Sequence, residues 1–546
     1  MLKFSLPRAV CLPPPKSAPD VPLDKNAVYQ YLVELDQKLR NAKDSMEPYF
    51  KRYERSGGKN IFKTATSNFE SFKFTRNIIA QNRNTPSVSN AWIKAYELIS
   101  EFELIPESHT MKEEKRSQWN HFDNCSFPGS FILAIYHYVY TRRDEDFQAL
   151  YNWFGSSLLA EHTQDKDHPD AALGDQYELY KRYSGNDSAD GIDHWLMDPS
   201  RGLNGDILDL DYLTHIHNML SQKHFDRYER EDHKESNDHD GQVDLYTSEF
   251  GIDVSEKKMY NEQEFVHAKG DLAQIICGLQ TLRKDGHMVC KIFTFFNPFT
   301  LSLLALMREC FEEFYICKPV SSKPDNSEVF IIGKEFNPDT GAEAAEIMLT
   351  FLKDPNSDYK SGTLVPLNKL DNKFWKRIKE AAYKIFEELQ IERIKNNIVV
   401  FERIIAKIGD PNTNPEIEDK VKKMSREEYA SRIDDDNKTW FAAYPVLVLH
   451  KKHRLNIIDI TERTAPRPRN YQDQNRYNSN QNRYPSDNSN RRNYDGYKYP
   501  AKDLKDHDHY DRRPEEKDAD GFQTVHNRRT QRHDKKSFST FGKGSN

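Results

Sequence analysis

Two lysines and two glutamates stand in contexts that ordinary surface charge does not explain. Lys291 lies inside the apolar, β-branched run from His287 to Phe293, and Lys94 sits among Ala91, Ile93, Leu98 and Ile99 in the repeat NAWIKAYELI. A lysine within a buried strand is costly to ionise, so Lys291 asks for a partner or a chemical role. Glu328 stands at the mouth of the strand-like VFIIGKEF and is the first candidate partner. Glu249 follows the strand-like VDLYTS, at the C-terminal rim where sites in open α/β sheets form. A structural ion pair would account for Lys291 and Glu328, although burying such a pair seldom favours stability by itself. A rim glutamate without a role would account for Glu249.

Binding chemistry is suggested by HFDNCSFPGSFILAIYHYV, residues 121–139. A strand ends near Cys125, Ser126-Phe127-Pro128-Gly129 makes the turn, and a helix begins at once through Ser130 and Phe131. Gly129 would allow close backbone approach, and the helix N-terminus offers N–H groups to a carboxylate or phosphate. An ordinary tight strand-to-helix turn reads the same way. Asp206, in the NGDI segment, is read first as a helix N-cap. His215 and His217 are two apart and face different ways on a helix, while His224, His233 and His239 lie in a charged stretch; no metal site is expected.

The elements that must position these groups alternate. Strand-like pieces at 119–125, 148–153, 243–248, 287–293, 315–319 and 329–336 are interleaved with helical patterns at 129–141, 262–283 and 299–313. Such alternation predicts an α/β domain on a mostly parallel sheet. The link SSKPDNSE is too short for a crossover helix, so the last two strands should form an antiparallel hairpin at the sheet's edge. Before this domain comes a Pro-rich extended segment, 1–24, and a helical region, 25–87, with one helix from Asn26 to Arg55 and an ambiguous Phe-rich stretch at 62–74. After it comes a second helical region, 341–460, with a strand-like piece at 444–450.

The 546 residues carry a net charge of −7, unevenly spread. From Thr464 onward there are 18 Lys and Arg against 12 Asp and Glu, which leaves −13 for the rest. A basic arm on an acidic body suits an anionic partner. The tail, 461–546, is Asn-, Arg- and Tyr-rich and cannot bury enough apolar surface to order itself; 222–242 is a charged insertion. Arg476-Tyr477 and Arg483-Tyr484 suit nucleic-acid contact as well as they suit a solubilising tail. Six cysteines without paired spacing predict reduced core thiols. No run of about 18 apolar residues exists, so a soluble intracellular protein without a membrane span is expected.

Taken together, NAWIKAYELI, the FPGSFI turn, NGDI, VDLYTSEFGID, GHMVCKIFTFF and KPVSSKPDNSEVFII resemble the cap-specific mRNA ribose 2′-O-methyltransferases of the FtsJ-like fold. The resemblance covers about residues 88–336 and is closest to the branch with the cap-2 enzymes. It implies a Rossmann-like methyltransferase sheet over 88–340 and a Lys-Asp-Lys-Glu tetrad, carried here by Lys94, Glu249, Lys291 and Glu328. It implies S-adenosylmethionine along the turn Ser126–Phe131, with Asp206 on its adenine side, and capped mRNA as partner, with capping or transcription machinery reached through the tail. The chain departs from the family at Glu249, whose side chain is longer than aspartate by about 1.5 Å, and at Ser126-Phe127. A catalytically weakened RNA-binding or partner-stimulating subunit, and a methyltransferase for other structured RNA, are the alternative readings. The Asn, Lys, Ile and Tyr bias suits an AT-rich genome such as that of a large cytoplasmic DNA virus; the compartment would be cytoplasmic, viral factory or virion if viral, and nuclear if cellular.

That chemistry would explain the residues. Methyl transfer to a 2′-hydroxyl is an in-line displacement that needs alignment and removal of a proton from a weak acid. Lys291 could act as base only if burial and the Lys94 cation lowered its pKa, while the two glutamates would push it the other way, so base and steering group both stay open.

Overall fold

A computed structural model describes residues 8–13, 22–55, 60–113, 118–158, 175–184, 192–197, 203–221, 243–252, 259–409 and 417–455. The charged insertion 222–242, with His224, His233 and His239, and the tail from 461 lie outside the described residues.

Seven strands form one sheet: β1 Arg8–Cys11, β2 Trp119–Asn124, β3 Tyr151–Ser156, β4 Val243–Ser248, β5 Leu282–Ile292, β6 Phe311–Lys318 and β7 Val329–Phe336. Their order is β1-β6-β7-β5-β4-β2-β3. β3, β2, β4 and β5 run parallel, and β7, β6 and β1 continue antiparallel. The expected β6–β7 hairpin is present. It is not the sheet's edge, however, because β1 pairs with β6. The Pro-rich start thus contributes a strand: the five residues between Pro7 and Pro13 are free to donate to a ladder.

The sheet is buried on both faces, and the two-residue period sorts its side chains. Leu245, Val289, Phe330 and Ile332 join one core with the helices Asn90–Glu101 and Ser130–Arg142. Tyr246, Met288, Cys290 and Ile331 join another with the helices Lys25–Asp44, Gln263–Thr281 and Pro298–Met307. Lys291, two residues after Val289, therefore faces the helix that carries Lys94. A third core joins the helical regions before and after the sheet: Tyr53, Phe62 and Phe69 pack with Phe401, Tyr429 and Ile433.

Several boundaries differ from the periodicity. The expected helix from Asn26 to Arg55 is two, Lys25–Asp44 and Glu47–Arg52, because Pro48 starts a new one. The Phe-rich stretch is helical, in Ile61–Ser67 and Phe72–Asn82. A short helix, Glu145–Leu150, takes the start expected for β3, and the helix expected over 299–313 stops at Met307, giving its end to β6. Residues 445–450 make no ladder; side chains strap them down instead, with Tyr96 Oη donating to Pro445 O (3.0 Å) and Asn84 Nδ2 to Leu449 O (2.9 Å). The six cysteines are free thiols, four of them buried. Among the described residues no helix is long and apolar enough to cross a membrane.

Candidate active site

Strand register alone delivers three of the four charged residues to one rim. Asn124 of β2 lies opposite Ser248 of β4, and Ser248 opposite Cys290 of β5. Cys125, Glu249 and Lys291 therefore emerge side by side at the C-terminal ends of parallel neighbours. β7 is antiparallel and pairs Phe330 with Lys291, so the residue before its start, Glu328, reaches the same rim.

Lys94 comes from the helix Asn90–Glu101, capped by Ser89 Oγ accepting from Trp92 N at 3.0 Å. The same hydroxyl lies 2.9 Å from Ser130 Oγ, tying this helix start to that of Ser130–Arg142. Lys94 Nζ stands 2.8 Å from Glu249 Oε1 and 3.2 Å from Glu328 Oε2, with the Phe330 ring centroid at 5.4 Å. Burial pushes this ammonium down, but Glu249 and Glu328 outweigh burial and hold it charged, well above its ordinary value. Burial likewise pushes the Glu328 carboxyl up, and Lys94 and Lys318 overcome it, so the net shift is strongly downward. Ser322 Oγ donates to Glu328 Oε1 at 2.6 Å. Lys291 is only partly buried, against expectation, because it points to the rim. Its Nζ donates to Glu249 O at 2.9 Å, and a Cβ at residue 251 would stand 3.1 Å from it, so Gly251 leaves the amine its room. The structure thus brings all four expected residues together.

The turn 125–129 is folded against the end of β3. Ser126 N donates to Ser156 O at 2.9 Å, and Gly129 N to Ser126 O at 2.7 Å. The Phe127–Pro128 peptide is cis, and Gly129 has φ +96°. Space beside Gly129 is filled by Leu179 and Trp195, where a Cβ would come within 3.1 Å of Leu179 Cδ2. What the glycine supplies is left-handed backbone geometry rather than the close ligand approach expected of it. A cavity of about 420 Å³ opens along this turn, walled by Ser126, Phe127, Pro128, Ser130 and Phe131 on one side and by Lys94 and Glu249 on the other. The Phe127 ring is held edge-on to Tyr180 at 5.7 Å and Trp195 at 6.1 Å. Asp206 does not line this cavity, nor does it cap a helix: the next helix begins at Leu210, and Asp206 Oδ1 accepts from Leu208 N in its own turn (2.9 Å).

Three further residues belong to the site. Asp123 lines the cavity, accepting from Thr247 Oγ1 (2.6 Å) and from Ser126 Oγ; burial pushes its carboxyl up to about 7, against these hydrogen bonds. Lys318 ends β6 behind Glu328, donating to Glu328 O at 2.7 Å and Asn326 O at 3.0 Å; burial pulls it down to about 7 despite the pull of Glu328. Glu97, one turn after Lys94, accepts from Val320 N (2.6 Å) and Ser321 N (3.0 Å) and fixes the loop that carries Ser322. Lys318 in FYICK carries the same signal as Lys291, an amine within an apolar strand, and could have been found by it. Among the described residues no group of His, Cys, Asp and Glu is disposed to hold a metal ion.

Comparison with known proteins agrees with this architecture. Residues 87–336 match the FtsJ-like methyltransferase family. The chain is similar to the "Probable methyltransferase EP424R" of African swine fever virus: 32% identical over 302 residues for the Warthog/Namibia isolate, covering 55% of this chain and 60% of that one. For the Pig/Kenya isolate it is 28% identical over 436 residues, covering 77% and 85%. It is also similar to the "Cap-specific mRNA (nucleoside-2'-O-)-methyltransferase 2" of Pongo abelii, 25% identical over 325 residues, covering 59% of this chain but 37% of the relative. The chain thus spans 60% of the Warthog/Namibia relative and about a third of the Pongo abelii one.

Proposed function

Starting from an FtsJ-like methyltransferase domain at residues 87–336, we propose that the chain methylates a ribose 2′-hydroxyl at the 5′ end of capped mRNA with S-adenosylmethionine. One observation carries the reading: an amine held charged by two carboxylates, Lys94 with Glu249 and Glu328, shares a rim with Lys291 at the edge of the 420 Å³ cavity. That cavity suits the cofactor's mixed character. Glu249 offers negative charge, Asp123 a buried carboxyl, Phe127 and Phe131 offer aromatic surface, and the helix start at Ser130 favours a carboxylate. When bound, the cofactor supplies an electrophilic methyl group on a sulfonium.

The chain's own groups do the rest. Lys94, fixed as a cation, donates to the 2′-oxygen and orients its lone pair toward the cavity. Glu249 and Glu328 hold Lys94 in that position, and Ser322 holds Glu328. Lys291, tied to a carbonyl rather than a carboxylate, stands beside them to take or steer the proton that leaves as the new C–O bond forms.

Purified protein incubated with capped RNA and methyl-labelled cofactor should label a 2′-oxygen among the first nucleotides, and no transfer to any of them would sink the reading. Lys291→Ala should abolish transfer with cofactor binding kept. Lys291→Arg separates the two roles, because a steering cation survives that change in part and a proton acceptor does not. Thermal shift with S-adenosylmethionine discriminates the non-catalytic alternative, which predicts no rise in Tm.

A further inference from the structure

Lys94 also faces a second cavity, about 200 Å³, on the side away from the turn. It shares Asn90 and Lys94 with the first, and about half of its wall comes from outside residues 87–336, including the 69–73 segment, Leu389, Arg393 and Arg432. Seven Lys and Arg side chains line it against three carboxylates. Its most buried cations are Lys318, already bound to the Glu328 and Asn326 carbonyls, and Arg393, 3% exposed. One arm of this guanidinium is used, Nη2 donating to Phe69 O at 2.9 Å; Nη1 is buried and has no hydrogen-bond partner. Arg432 lies alongside, the two guanidinium carbons 5.5 and 5.9 Å from the Tyr429 ring centroid. Arg432 has its own carboxylate, Asp436 at 3.5 Å, and Lys323 at the rim has Glu70 at 2.7 Å.

A guanidinium buried with an unused N–H beside a like charge is an arrangement that stability alone disfavours. Burial and Arg432 both weaken its charged form and together outweigh the opposing pull of Asp325 and Asp436, and an anion between the two guanidinium groups would relieve both. A tetrahedral phosphate suits the planar fork of Arg393. We propose that this groove binds a backbone phosphate of the RNA strand that presents its ribose to Lys94, with Arg393 as the buried anchor and Arg432 and Lys323 at the rim. This rests on the RNA-methylating reading. The helical segments outside residues 87–336 then add Arg393 and Arg432 to a phosphate grip in which the domain's own Lys323 takes part.

The test is equilibrium binding of the full chain to a fluorescent capped oligoribonucleotide across a salt series, without cofactor. Arg393→Gln and Arg432→Gln should each weaken binding roughly fivefold to tenfold and lower the slope of log K against log salt by about one; Lys323→Gln should weaken it about threefold. Lys376→Gln, an exposed lysine away from the groove, removes the same charge and should change neither. Unchanged affinity and slope in Arg432→Gln and Lys323→Gln overturn the proposal even if Arg393→Gln fails to fold. Inorganic pyrophosphate that binds wild type but not Arg393→Gln, while RNA binds both alike, assigns the groove to free polyphosphate and overturns the RNA assignment. Arginine-dependent RNA binding without methyl transfer keeps the groove and removes the catalytic reading; transfer with groove-independent RNA binding does the reverse.

Discussion

Glu328 has a buried lysine on either side, and the two differ in every respect but burial. Lys94, on the helix side, meets two carboxylate side chains and is held above its ordinary pKa. Lys318, on the loop side, meets the carbonyls of Glu328 and Asn326 and falls to about 7. Taking an amine out of water costs about the same in both places. What decides its charge is whether the acceptor carries a full negative charge or only a dipole. Lys291 is held in the carbonyl manner but opens to the rim, so it combines the softer grip of Lys318 with the access of Lys94.

The largest break of this contrast is Lys94→Met, which leaves Glu249 and Glu328 facing each other without a cation. Removing one partner from a buried ion pair typically costs about 3–5 kcal/mol, and methyl transfer should fall by at least about 10³-fold with the lost donor. Chemical denaturation and single-turnover transfer read the two effects. A variant as stable as wild type would mean that the two carboxylates are already neutralised by Lys291 and Lys318, and the contrast would fail.

Lys318→Met should cost less, about 1–3 kcal/mol at neutral pH, the penalty for carbonyls left without donors. Its signature is in the pH dependence. The folded-state pKa of Lys318 lies below its unfolded value, so its contribution to stability is present above about 10.5 and is lost as pH falls through about 7. The difference between wild type and Lys318→Met should therefore grow from pH 7 upward. Lys94, shifted the other way, contributes below pH 10.5 and loses that contribution only as pH rises through its higher folded value. Denaturation midpoints of the two variants at pH 7, 8 and 9 should diverge; parallel curves would show that the two amines titrate alike.

The parallel half of the sheet is legible in the sequence because its strands are short apolar runs separated by helical periods, and the rim follows from those strands ending in charged residues. Lys318 lies inside the expected strand 315–319 and carries the same signal as Lys291, but it stands at the end of its apolar run rather than within it. β1 escapes because five residues between prolines give no period to read. Arg393 cannot be seen at all. In the sequence it is one more charged position on an amphipathic helix, and only its packing against Phe69 and Tyr429, hundreds and tens of residues away, buries it. Lys94 stands out on its helix because apolar residues surround it, whereas Arg393 lies among charged neighbours that a helix can turn to solvent.

Gly251→Ala gives the smallest effect and tests how firmly a carbonyl grip positions an amine. Gly251 does not have a positive φ, so alanine fits the backbone, and stability should change by less than about 0.5 kcal/mol. The new Cβ would lie 3.1 Å from Lys291 Nζ and 3.9 Å from Glu249 O, so the flexible amine must yield by a few tenths of an ångström. If the single bond to Glu249 O is what places Lys291, that displacement should lower the single-turnover rate by about fivefold to tenfold with little change in cofactor affinity, since reacting groups lose rate steeply when misplaced. An unchanged rate would show that Lys291 tolerates a looser position than an amine receiving a proton could. The carbonyl-held lysine would then be acting by charge alone, as Lys94 does.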